Sequence, residues 1–351
     1  MNKKTTISIL LALAAAGFLG SCSKTEKEIN NEEALRYLQA YMGQHYPGVS
    51  PTGNGIYILE EETGSGATYN KENYVYLNYT VTDLEGNISA STDEKINKRI
   101  GTYSAATLYG PDVFSNFSSS TKKETISTMI EGLEEAITGM RIGGRRKVVI
   151  PFWLATNYRY NDKQTYLEKG ATSGTTLIYD ITLEDFTNDP LYHQIAEIES
   201  YCNEHYHNSD STSWGFYYFQ IDEPLDTTSF PNDTTIYIDY IGRYLNGQVF
   251  DTSIADTAKV YGIYNASKTY EPQKIYWGEA YTDLTMETAS SYGSGTSPIE
   301  GFQKMLFQMR AFESGTAIFY SPLGYGETGS GSIKSFTPLR FDVALVDKTD
   351  S

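Results

Sequence analysis

A chain of 351 residues with a formal net charge of −17 is long enough for two domains of ordinary size, and its acidity excludes nucleic acid as a partner, which needs a basic face to displace counterions. Only Cys22 and Cys202 are present, so no disulfide framework supports the fold and its stability must come from packed cores. Thirty tyrosines and fifteen phenylalanines point to strand-rich domains with aromatic pockets, a composition suited to apolar or extended ligands.

The N-terminus opens with a basic cap, Lys3 and Lys4, then an apolar run from Ile7 to Leu19, then the small-residue junction Leu19-Gly20-Ser21-Cys22. The run is too short to cross a bilayer comfortably and reads as an export signal over residues 1–21. Its junction resembles the lipobox of bacterial lipoproteins, which implies cleavage before Cys22, diacylation of that cysteine and a membrane partner through the lipid anchor. Loss of Lys3 and Lys4 would leave a mature chain of about −19. Ser23-Lys24 follows the cysteine without an acidic run, which favours a cell-envelope lipoprotein on the outer membrane facing the periplasm. Residues 22–30 are polar and read as a tether.

A helix is expected from Asn31, with Glu32 and Glu33 at its positive end and Leu35, Leu38, Tyr41 and Met42 on one face. A second helix starts at Asp189-Pro190 and gathers Ile195, Ile198, Tyr201 and Cys202 in the same way. The two are displaced by 160 positions, His45-Tyr46 against His205-Tyr206 and Gly55 against Gly215, which marks an internal duplication. Each copy continues with a strand, Gly55 to Leu59 or Gly215 to Phe219, then further strands, one short helix, Glu131 to Gly139 or Glu300 to Gln308, and a closing strand, Leu177 to Leu183 or Leu339 to Val346. The predicted class is therefore α+β: two antiparallel sheets, each wrapped on a short helix and preceded by a linking helix. Domain limits follow as 31–188 and 189–351, divided where Thr187-Asn188-Asp189-Pro190 breaks a strand. Stretches rich in Tyr, Ser and Thr, from Thr92 to Thr128 and from Asp251 to Pro298, read either as surface decoration or as a substrate lid.

In the second copy the run from Ile238 to Ser253, with its Asn246-Gly247 turn and Phe250-Asp251-Thr252-Ser253, resembles the FKBP signature. Pro298-Ile-Glu-Gly-Phe302, Ser321-Pro-Leu-Gly-Tyr-Gly326 and Leu339-Arg-Phe-Asp-Val-Ala-Leu345 follow in the family's order. The resemblance implies a peptidyl-prolyl cis-trans isomerase acting on proline-containing polypeptide clients without metal or cofactor. It implies catalytic roles for Tyr240, Phe250, Asp251 and Tyr325, and a substrate pocket completed by Ile299, Phe302, Ile333 and Phe341. Phe302 stands where the family has a tryptophan, and Gln273 where it offers a pocket phenylalanine. The first copy keeps the scaffold blocks, such as Met129 to Glu135 and Met140 to Pro151, and loses the chemistry: Ser89-Ala90 replace Phe-Asp, Leu133 the floor aromatic, Thr156-Asn157 the late Tyr-Gly. It is expected to be non-catalytic.

Four other readings stand beside this one. Cys202, Glu204, His205 and His207 lie close in sequence, but Met42 holds the first copy's place for Cys202 and the His-Tyr pair recurs in both, which argues against a metal site. No Gly-x-Ser-x-Gly elbow supports a hydrolase. A peptide-gripping scaffold without turnover, or a glycan-binding surface using exposed Tyr and Trp, remains as an alternative function.

Overall fold

Period-two alternation fixes the strands: β13 (Leu339–Val346) buries every second residue, as does most of β8 (Thr235–Arg243). The computed structural model describes residues 26–115, 129–156, 162–169, 174–208, 210–287 and 295–347. The signal segment and Cys22 lie outside them, and no helix among the described residues is long and apolar enough to cross a membrane.

The first domain opens with α1 (Glu26–His45) and continues through β1 (Tyr57–Glu62), β2 (Tyr74–Thr82), β3 (Ile88–Ser91), α2 (Glu94–Ile100), β4 (Asp112–Ser115), α3 (Glu131–Ile137), β5 (Arg145–Ile150), α4 (Lys163–Lys169) and β6 (Leu177–Thr187). The second runs α5 (Pro190–Tyr206), β7 (Phe216–Asp222), β8, β9 (Val249–Thr252), α6 (Ala255–Val260), β10 (Gln273–Tyr276), β11 (Thr285–Met286), α7 (Glu300–Gln308), β12 (Ser314–Phe319) and β13. One sheet has the order β1-β5-β6-β2-β3 with β4 also on β2; the other has β7-β12-β13-β8-β10-β11 with β9 also on β8. The six strands of the first sheet have counterparts in the same order in the second, which adds only β11 at its edge, so the duplication seen in sequence is a duplication of fold.

Each core is closed by a short helix and the methionine that follows it: Leu133, Ala136 and Ile137 of α3 with Met140 in one domain, Phe302, Met305 and Leu306 of α7 with Met309 in the other, all buried. The glycine just before each set is required by contact. A Cβ at Gly132 would lie 2.2 Å from Ile150 Cγ2, and one at Gly301 2.6 Å from the Phe319 ring.

Several limits differ from expectation. The first helix starts at Glu26, inside the expected tether, since the sequence from Glu26 to Asn30 contains no helix breaker. Asn31 is accordingly no cap: it is buried, and its side-chain amide donates to the Leu167 carbonyl of α4 at 3.2 Å. The strands expected from Gly55 and Gly215 begin at Tyr57 and Phe216, with both glycines at positive φ just before them. The two long polar stretches carry α2 and β4, or α6, β10 and β11, and are only partly irregular.

Linking helix α5 begins as expected, with Asp189 accepting from the Leu191 and Tyr192 amides and Pro190 in its first turn. It touches both sheets. His193 stacks on Tyr76 of β2 at 4.9 Å and bonds Asp185 of β6 at 3.0 Å, while Ile198 and Cys202 pack on Tyr217 and Ile318 of the second domain.

Candidate active site

Strand β8 brings Tyr240 to the inner face of the second sheet, and the hairpin at Asn246-Gly247, with Gly247 at φ 85°, returns the chain so that β9 lays Asp251 against Gly242. The Tyr240 hydroxyl donates to Asp251 Oδ2 at 2.7 Å. Burial first, and the Asp251 charge second, push that hydroxyl far above the ordinary tyrosine range, so it is a neutral donor at physiological pH.

Rings enclose the pair in edge-on contacts: Tyr240 to Phe302 at 5.8 Å and 79°, Phe302 to Phe341 at 5.0 Å and 70°, Phe250 to Phe341 at 5.6 Å and 83°. Tyr240, Phe302, Ile333 and Phe341 are buried in one cluster, with Phe250, Ile299 and Tyr325 half-buried against it. The structure therefore gathers all eight residues predicted for the pocket. The Tyr325 hydroxyl takes no hydrogen bond among the described residues, and burial with the Asp251 charge raises its pKa.

Two features, Lys268 and Gly242, were not foreseen, and a third, Gln273, was already marked as a departure by the sequence. Lys268, from the loop after α6, pairs with Asp251, donates to the Thr252 carbonyl at 2.9 Å and sits 5.8 Å from the Tyr240 ring centre, so the carboxylate is held from two sides. Gly242 makes room for an aromatic wall, because a Cβ there would meet Phe250 Cζ at 2.6 Å and Phe341 Cε1 at 3.1 Å. Gln273 supplies no aromatic wall: its amide donates to the Glu271 carbonyl at 2.9 Å.

The first domain shows what its altered residues do. Register places Ala90 opposite Val81 as Asp251 lies opposite Gly242, so Ser89-Ala90 do stand where Phe250-Asp251 stand. Val81 replaces the glycine where Ser89 replaces the ring. Tyr79, the equivalent of Tyr240, nevertheless keeps an acid: its hydroxyl donates to Asp112 Oδ2 at 2.6 Å, and burial together with that charge raises its pKa well above 10. Asp112 comes from β4 at the register position of Gln273, opposite Leu77 as Gln273 is opposite Ile238. The Tyr–Asp pair is rebuilt from a different strand. Of the late pair Thr156-Asn157, Asn157 lies outside the described residues.

Among the described residues no group of three or more His, Cys, Asp or Glu side chains is placed to hold a metal ion. Cys202 is buried, and desolvation pushes its thiol up to about 12. His205 packs on Tyr201 with ring centres 4.2 Å apart.

Mouse peptidyl-prolyl cis-trans isomerase FKBP9 is 26% identical over 223 residues, 62% of this chain and 28% of that protein. The chain thus matches little more than a quarter of its relative's length. Among solved structures, a peptidyl-prolyl cis-trans isomerase from Pseudomonas syringae is 18% identical, covering 46% of this chain and 97% of its own, with a TM-score of 0.30. The three FKBP domains of wheat FKBP73 are 13% identical, covering 84% and 95%, with a TM-score of 0.28. The family model for FKBP-type peptidyl-prolyl cis-trans isomerase matches residues 70–184, the first-domain segment that holds the Tyr79–Asp112 pair.

Proposed function

We propose that the chain is a peptidyl-prolyl cis-trans isomerase and folding aid for exported proteins, with its activity in the second domain. The observation that carries this reading is the Tyr240–Asp251 pair set among Phe250, Phe302 and Phe341. An X-Pro amide isomerises over a barrier of about 18–20 kcal/mol because its resonance is lost on the way. The twisted amide is less polar than the planar one, so an apolar aromatic pocket favours it differentially. In this scheme Phe302 floors the proline ring, Ile299, Ile333 and Phe341 wall it, Asp251 and Tyr240 orient the reacting amide, and Tyr325 donates to a substrate carbonyl. Neither nucleophile nor metal takes part.

Supporting the lipoprotein half of the proposal is the sequence junction at Cys22, which makes this an envelope protein presenting both domains to proline-containing clients in the periplasm. Retention of acyl label by the wild type and its loss in Cys22→Ser test it.

A second reading has its own support, because the family match falls on the first domain and Tyr79–Asp112 repeats the donor–acceptor pair. In it the first domain turns over substrate and the second grips peptide. The test is the cis-to-trans rate of a short X-Pro peptide with the full chain. Phe250→Ala or Asp251→Asn should cut the acceleration about tenfold on the proposed reading. A loss confined to Asp112→Asn and Tyr79→Phe would move the site to the first domain, and no acceleration by the wild type would leave a peptide-binding scaffold.

A further inference from the structure

The second domain's pocket rim is not bare. The segment between α2 and β4 of the first domain lies across it, held mainly through its backbone. Gln248 Nε2 donates to the carbonyls of Ala105 at 2.6 Å and Thr107 at 2.9 Å, Tyr244 Oη to that of Ala106 at 3.0 Å, and Lys334 Nζ to that of Gly110 at 2.7 Å. Lys334 also pairs with Asp112 at 2.8 Å. Leu108 packs against the aromatic cluster that contains Tyr240, Phe302 and Phe341. A Cβ at Gly262, on the opposite rim, would stand 3.6 Å from Ala105 Cβ, and Ser104, Ala105 and Ala106 close one side of a cavity of about 330 Å³ whose other side includes Phe250, Asp251 and Lys268.

Side chains of one domain donating to successive carbonyls of a segment, with one apolar residue set into a cluster, is how a peptide is bound. The donors flank the residues assigned to substrate: Tyr244 and Gln248 precede Phe250, and Lys334 follows Ile333. The segment is also braced before it docks. Tyr103 stacks on Tyr109 at 5.7 Å and 14°, and the Ser104 amide donates to the Tyr109 hydroxyl at 3.0 Å. The second copy has the same brace, Tyr264 on Tyr270 at 5.1 Å and 13° with the Asn265 amide on the Tyr270 hydroxyl at 3.0 Å. There, however, the residue at the place of Thr107 is Lys268, which turns back to its own Asp251. Only the first copy's loop carries Leu108 outward.

We propose that Ser104–Asp112 is a resident occupant of the second domain's peptide site, so that a client reaches Phe250 and Asp251 by displacing it. The inference rests on reading that site as peptide-binding. Being tethered, the segment competes at an effective concentration in the millimolar range, and apparent client affinity falls with the fraction of chains in which the site is open.

The test uses the full chain and a synthetic peptide of residues 103–112 as probe, with binding read by fluorescence anisotropy. Leu108→Asp places a charge against the aromatic cluster and should free the site, so the probe should bind this variant at least about tenfold more tightly than wild type. Leu108→Ala, which only shortens the side chain, should shift affinity the same way by less and decides the matter if the charged variant misfolds. Equal binding to wild type and variants, or none to the variants, overturns the proposal. X-Pro exchange measured alongside separates the two claims. Tighter probe binding with no acceleration by any form keeps the occupant and removes the isomerase, whereas acceleration unchanged by either variant, with probe binding unchanged, keeps the isomerase and removes the occupant.

Discussion

Gly242→Val puts into the second domain the residue that the first domain carries at Val81. In the second domain the new Cβ would press to 2.6 Å of Phe250 Cζ and 3.1 Å of Phe341 Cε1, so the Phe250 ring must leave its place. Overpacking of this kind costs about 1–3 kcal/mol, offset by up to about 1 kcal/mol of strand preference for valine over glycine. Phe250→Ser alone removes a half-buried ring and should cost about 2 kcal/mol, less than the loss of a fully buried phenylalanine. Made together, the two changes recreate the first domain's own combination, Val81 with Ser89. The double variant should therefore be more stable than the sum of the single losses by about 1–2 kcal/mol, while the acceleration of X-Pro exchange stays lost in all three. Denaturant unfolding of the full chain, followed at Trp277 with Trp153 and Trp214 replaced by Phe throughout, reports the second core, because Trp277 is buried there and stacks on Phe307 at 5.5 Å. Additivity within about 0.5 kcal/mol would refute the claim that glycine and ring are one packing unit.

Gly301→Ala should destabilise the second domain by about 1–3 kcal/mol, since its Cβ would fall 2.6 Å from the Phe319 ring; a neutral result in thermal unfolding would mean that the helix sits farther from the sheet. Alkaline stability should fall from about pH 10 upward: Tyr240 and Tyr79 have folded pKa values raised above the unfolded value near 10 by burial and a neighbouring carboxylate, so their contribution is full below that pH and is lost as pH rises through the folded values. A flat stability profile between pH 10 and 12 would contradict it, and burial of Tyr217 and Tyr244, pushed up to about 12, adds in the same sense. In a Cys22→Ser chain, Cys202 should resist a thiol reagent at pH 8 until the protein unfolds, and prompt labelling of the folded chain would place that thiol at the surface.

What the sequence discloses and what it hides divide along physical lines. Periodicity and duplication carry the fold because burial of alternate residues in β13, or of Phe302, Met305 and Leu306 on one helix, is written in residue type. The aromatic box was legible for the same reason, as its members fall in ordered blocks. Lys268 was not, since nothing in Tyr264-Asn-Ala-Ser-Lys268 marks which carboxylate the lysine will meet. Asp112 could have been found by aligning the copies through β4, where it falls opposite Gln273; its partner Tyr79 was visible, but its change of strand was not. The docking of 104–112 was invisible in principle, because its acceptors are backbone carbonyls, which every residue has, more than 130 positions from their donors.

Helix α5 gives the duplication a practical meaning. It opens the second domain's stretch of chain, yet His193 covers Tyr76 and pairs with Asp185 on the first sheet, while Ile198 and Cys202 fill a seam of the second. A fragment cut at residue 188 would strip the first sheet of this cover, and one cut after Tyr206 would strip the second of its seam. The helix is a party wall: two houses were built from one plan, and neither can be taken down without opening the side of the other.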